Sequence, residues 1–80
     1  MTCRDEVLAA MRALQSRHGR KVFKLEEIVQ EVNALGSTYK ESTIRTHIVS
    51  RMCGNAPDNH AVVYKDLERV DTGHYRLAGA

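Results

Sequence analysis

Apolar residues recur at helical spacing in three stretches of this chain, and short β-branched runs fill two of the gaps. Val7, Leu8, Met11 and Leu14 make the first stripe, while Arg4, Arg12 and Arg17 fall on other faces. Thr2 is a suitable N-cap, Asp5 and Glu6 sit where the helix dipole favours acids, and Gly19 ends the segment. Leu25, Ile28, Val29, Val32 and Leu35 make a second stripe, stopped by Gly36. Ile44, Ile48, Val49 and Met52 make a third, running from about Glu41 to Cys53 and closed by Gly54.

Between the first two helices, Lys21-Val22-Phe23-Lys24 has strand character but is too short to stand alone, so it is expected to pair at a sheet edge. Ser37 to Lys40 reads as a turn, and Gly54 to His60 as a loop dense in turn formers. Ala61-Val62-Val63-Tyr64 is short and β-branched. Leu67 to Val70 and His74 to Leu77, joined through Asp71-Thr72-Gly73, predict a β-hairpin in which Gly73 supplies a positive φ. By alternation Tyr75 and Leu77 face the core with Val70, and Tyr39 and Tyr64 are expected half-buried.

The predicted order is helix, short strand, helix, turn, helix, loop, hairpin. Two helices followed by a third across a short turn form a helix-turn-helix, and a hairpin behind it forms a wing. The expected fold is therefore α+β, a winged helix with a three-helix core, a C-terminal β-hairpin wing and a short extra strand. One domain spanning residues 1–80 is all that this length supports.

Net charge is only +2, but it is unevenly spread. Residues 1–36 carry six Lys/Arg against five Asp/Glu, and residues 54–80 carry three against four. Residues 37–53 carry Lys40, Arg45 and Arg51 against Glu41 alone and are rich in hydroxyls. A nucleic-acid contact would thus be local and set by geometry rather than by bulk charge.

Advancing the third helix by about 100° per residue gathers Ile44, Ile48, Val49 and Met52 on one arc. Thr43, Thr46, His47 and Ser50 fall opposite, a face of short hydroxyls and one imidazole suited to base edges and thymine methyls in the major groove. The competing reading of that face is a solvated polar surface. Lys40 and Arg51, at opposite ends of the segment, suit phosphates. Arg45 lies at the edge of the apolar arc, where its guanidinium either emerges toward a phosphate or pairs with Glu41. Asn59 and His60 follow the third helix and carry groups able to read adenine or stack, although turns are commonly rich in such residues. In the hairpin, Arg69, Thr72, His74 and Arg76 can reach phosphate or the minor groove.

Ser42-Thr43-Ile44-Arg45-Thr46-His47-Ile48 resembles a winged-helix recognition helix, and Asp66 to Val70 with Gly73, Tyr75, Arg76 and Leu77 resembles the wing of bacterial winged-helix domains. The chain is similar in particular to the winged helices appended to restriction endonucleases, including those specific for N6-methyladenine. The resemblance implies double-stranded DNA binding and an N6-methyladenine target. These 80 residues depart from those proteins in carrying no nuclease domain, so a stand-alone binder is expected.

Other chemistry finds little footing. Cys3, Cys53, His60 and His74 lack the close pair spacing of a zinc site, and no phosphate-binding glycine loop or metalloprotease motif occurs. No enzyme activity, cofactor or metal is expected. Cys53 reads as a small core residue. No stretch approaches a membrane span and the N-terminal segment is amphipathic, so a cytoplasmic protein with reduced thiols and no membrane partner is expected. Two alternatives stand beside the leading reading: a transcriptional regulator of unmodified DNA, and a winged helix that docks another protein. Met1, Ala9, Ala10 and Ala13 offer the first helix a weak second apolar stripe, which leaves a monomer and a weak homodimer both open.

Overall fold

Thr2 and Asp5 fasten the start of the first helix reciprocally. The Asp5 backbone N–H donates to Thr2 Oγ1 at 3.2 Å, and the Thr2 N–H donates to Asp5 Oδ2 at 3.2 Å. Two donors that a helix start leaves orphaned are thereby satisfied, and the Thr2 hydrogen bonds hold the Asp5 carboxyl below its ordinary value. Helix α1 (Cys3–His18) ends at Gly19, whose φ of 68° is a left-handed cap that glycine adopts without Cβ strain. The structure, a computed structural model, describes residues 2–53 and 64–78.

Strand β1 (Phe23–Lys24) leads directly into α2 (Leu25–Ala34). The Glu27 carboxylate accepts from Arg20 Nη2 at 2.6 Å and from the Lys24 backbone N–H at 2.9 Å, which holds its pKa low and fixes the entry to the helix. Next come α3 (Glu41–Thr46), a π turn (His47–Arg51), β2 (Leu67–Asp71) and β3 (His74–Leu77). The three strands form one antiparallel sheet in the order β1-β3-β2, so the two-residue strand sits at an edge as its length suggests. The α+β class of three helices and a small antiparallel sheet agrees with the sequence and is compatible with a winged-helix arrangement.

The core lies between the helices and one face of the sheet. Val7, Met11 and Leu14 of α1 meet Ile28, Val29 and Val32 of α2, Ile44, Ile48 and Met52 of the third helical segment, and Phe23, Leu67 and Tyr75 of the sheet. Each such side chain contributes about 1.5–3 kcal/mol on burial. Cys53 is in this core, as expected, and Cys3 joins it; burial pushes the Cys3 thiol up, with the Glu6 carboxylate adding to the effect. Leu8 and Leu77 pack on its margin.

Three expected core residues are not there. Leu35 is 53% exposed, because α2 stops at Ala34 and the last member of the stripe lies past the helix end. Val70 is 43% exposed: Arg69 pairs with Tyr75 and Asp71 with His74, so Val70 is the extra residue of a bulge and drops out of alternation. Val49 is 37% exposed, because the third segment is not an α-helix to Cys53 but widens into the π turn from His47. The second stripe proposed for α1 is also broken, since Ala10 is part of the core.

Tyr39 and Tyr64 are partly buried as expected, at 37% and 40% exposure, with the Arg4 guanidinium 4.2 Å from the Tyr64 ring centroid. Arg4 also grips Asp66 with two hydrogen bonds, of 2.7 and 2.9 Å, which ties α1 to the approach of β2. Arg17 of α1 pairs with Glu31 of α2. The end of the π turn is joined to the same approach: the Tyr64 N–H donates to Arg51 O, the Leu67 N–H donates to Met52 O at 2.8 Å, and Cys53 and Leu67 form a parallel bridge. Gly54 to Val63, the predicted loop and the short β-branched run up to Tyr64, lie outside the described residues. No described helix is long and apolar enough to cross a membrane.

Candidate nucleic-acid interface

The third helical segment begins at Lys40, whose carbonyl accepts from the Ile44 N–H at 3.1 Å. One turn later, two side chains turn back onto the backbone. Thr46 Oγ1 donates to Ser42 O at 2.9 Å, and His47 Nδ1 lies 2.9 Å from Thr43 O. A carbonyl oxygen only accepts, so Nδ1 carries the proton and donates. Side chains that claim carbonyls four residues back compete with the backbone N–H groups and distort helices. The widening starts at this point: the Met52 N–H reaches His47 O, five residues back, at 2.8 Å. Each residue of a wider turn advances less around the axis, which keeps Met52 in the core beneath Ile48 and moves Val49 to the surface.

On the polar side of this segment lies an open groove of about 240 Å³ lined by Ser42, Thr43, Thr46, His47 and Arg51. Four of these five were candidates from the sequence. Ser42 was not, although its place four residues before Thr46 is the signal that its carbonyl takes the threonine hydroxyl. No acidic side chain lines the groove, and its one formal cation is Arg51.

The other candidates are dispersed. Lys40 is exposed at the start of α3 and Ser50 is half-buried in the π turn, neither lining the groove. Arg45 Nε donates to Glu41 Oε2 at 3.3 Å, the pairing alternative of the two that the sequence left open. Thr72 and His74 line a second recess of about 240 Å³ with Lys24, Leu25, Glu26 and Gly73, where the Leu25 N–H donates to Gly73 O at 2.9 Å and ties the start of α2 to the hairpin turn. His74 Nδ1 donates to Thr72 O at 2.8 Å. Arg69 is exposed opposite Tyr75, whose hydroxyl is pushed up by burial. Arg76 is paired within the hairpin: its Nε donates to Glu68 Oε1 at 2.7 Å, so a phosphate would compete with Glu68 for the guanidinium. Asn59 and His60 lie outside the described residues. Among the described residues, no three His, Cys, Asp or Glu side chains converge as a metal site would require.

Comparison with curated proteins gives no match, and comparison with solved structures gives none. A family model described as a domain of unknown function (DUF7669) matches residues 4–77, nearly the whole chain, and the protein belongs to that family.

Proposed function

We propose that this domain binds double-stranded DNA as a winged helix, without catalysis, laying α3 and the π turn in the major groove and using the β2–β3 hairpin as the wing. The observation that carries this reading is the groove formed by Ser42, Thr43, Thr46, His47 and Arg51: hydroxyls, an imidazole and a guanidinium on one helical segment, with no carboxylate among them. Short polar side chains of this kind match base edges, and the guanidinium matches a phosphate or guanine. The wing supplies Arg69, Thr72 and His74, with Arg76 engaged by Glu68.

A salt titration of binding to a randomised duplex tests it. With roughly three to six phosphate contacts, log K falls with log[salt] at a slope of about −0.9 per contact. Absence of duplex binding at low salt would falsify the reading. One observation favours a second reading, a protein partner on the same segment: Val49 is exposed there. A valine also suits a thymine methyl. Val49→Ser separates the two, since a DNA binder keeps its salt slope whereas a protein interface centred on Val49 is lost.

A further inference from the structure

The donors of Thr46 and His47 are already committed. The Thr46 hydroxyl hydrogen goes to Ser42 O, and the His47 Nδ1 hydrogen goes to Thr43 O. A hydroxyl has one hydrogen and two lone pairs, and a neutral imidazole has one N–H and one acceptor nitrogen. In the neutral ring, therefore, Nε2 is an acceptor, and it has no partner among the described residues. Thr46 Oγ1 likewise keeps only lone pairs to offer. Two adjacent residues lining the groove thus present acceptors whose polarity is fixed by the helix itself. Ser42 and Thr43, the other hydroxyls of the groove, make no such bond among the described residues and accept or donate as the partner demands.

Only two groups in the major groove donate: the exocyclic amines of adenine and cytosine. Guanine O6 and N7 and thymine O4 accept. An acceptor held against another acceptor leaves two desolvated lone pairs unmatched, which is costly. We infer that Thr46 and His47 form an amine-reading pair, selecting adenine or cytosine over guanine or thymine at the bases they face. The inference rests on the DNA-binding reading of the groove.

It carries a consequence for base methylation. One hydrogen of the adenine amine is held in the Watson–Crick pair, so the other is the only one open to the major groove. A single methyl that leaves the base pair intact replaces that second hydrogen. The same holds for the cytosine amine. Methylation therefore removes the donor this pair requires, and the groove reads an amine's methyl group as a loss. The resemblance to domains specific for N6-methyladenine implies the opposite sign, which makes the sign decisive.

The test first selects a preferred site from a randomised duplex library at pH 8 and moderate salt. Each adenine of that site is then replaced singly by N6-methyladenine, and each cytosine by N4-methylcytosine. The protein itself is unchanged in this arm, so folding does not enter. At one or two positions the methylated duplex is expected to bind about fivefold to 150-fold more weakly. Thr46→Val and His47→Phe, which remove the acceptors, should abolish the difference at those positions while leaving the salt slope intact. Equal or tighter binding of every methylated duplex overturns the inference and leaves the DNA-binding reading in place. A penalty that persists in both variants also overturns it, by assigning the contact elsewhere. Failure to bind any duplex overturns both.

Discussion

His47 and Thr43 are locked together by a 2.9 Å hydrogen bond from Nδ1 to the carbonyl oxygen, at the point where the third helix changes from an α to a π turn. The bond selects one ring tautomer and shares a carbonyl that also accepts the His47 backbone N–H. In ¹⁵N-detected NMR at pH 8, His47 should show a protonated Nδ1 and an unprotonated Nε2. The reverse pattern would separate the ring from the carbonyl.

Removing these side chains should alter site choice more than overall affinity. Thr46→Ala and His47→Ala are each expected to cost on the order of 1–3 kcal/mol at a preferred site where they make good base contacts, with little change on non-specific duplex. Competition between the selected site and random DNA measures this, and full specificity in both variants would place the helix wrongly.

Arg51 and Arg76 should behave differently, although both looked like phosphate ligands. Arg51→Ala should weaken binding across all sequences and reduce the salt slope by about 0.9. Arg76→Ala should change the slope less, because Glu68 already engages its guanidinium. Glu68→Gln then strengthens binding by releasing the charge of Arg76. Equal slope changes for the two arginine variants would mean that DNA displaces Glu68.

The third segment also predicts a sharp contrast in stability between neighbours. Ile48→Ala should destabilise the fold by about 2–5 kcal/mol, a large share of what a small domain has. Val49→Ala, at an exposed position, should stay within about 0.5 kcal/mol. Urea unfolding of the two variants measures this. Comparable losses would mean that the helix runs on as an α-helix with Val49 buried.

Acid should weaken the fold in a defined window. Asp5 and Glu27 have carboxyls held below their ordinary values, by the Thr2 cap and by Arg20 and the Lys24 N–H respectively. Their stabilising contribution is complete above the unfolded values, near pH 4 for carboxylates, and is lost as pH falls through the lower folded values. Thermal melts should be flat in this respect above about pH 5 and decline below pH 4. Asp5→Asn and Glu27→Gln should lower the melting temperature at pH 7 and flatten the acid limb. An unchanged acid limb in both variants would assign it to other carboxylates.

The parts of this fold that were legible in the sequence are those set by local rules. Thr2, Asp5 and Gly19 bound α1 as capping chemistry requires, and Gly73 marks the hairpin turn. The errors fall where a residue's direction depends on a departure from regular geometry. A constant 100° advance cannot anticipate a helix that widens because Thr46 and His47 bond to its own carbonyls, so Val49 was placed inside. Strict alternation cannot anticipate the bulge at Val70. In the candidate site, Thr43, Thr46 and His47 were recognisable by helical phase, and Arg51 by its charge at the end of the segment. The pairing of Arg76 with Glu68 depends on strand register, and that of Arg4 with Asp66 joins positions at opposite ends of the chain with no periodicity to link them.

The junction between the π turn and the approach to β2 has one more consequence. The chain is stitched on both sides of residues 54–63, by Leu67 N–H to Met52 O, by the Cys53–Leu67 bridge, and by Arg4 holding Asp66 from α1. These fastenings join the end of the π turn, the approach to β2 and the first helix at one point. The start of the hairpin is thus coupled to the proposed reading helix through the backbone as well as through side chains, which fixes the spacing between the two.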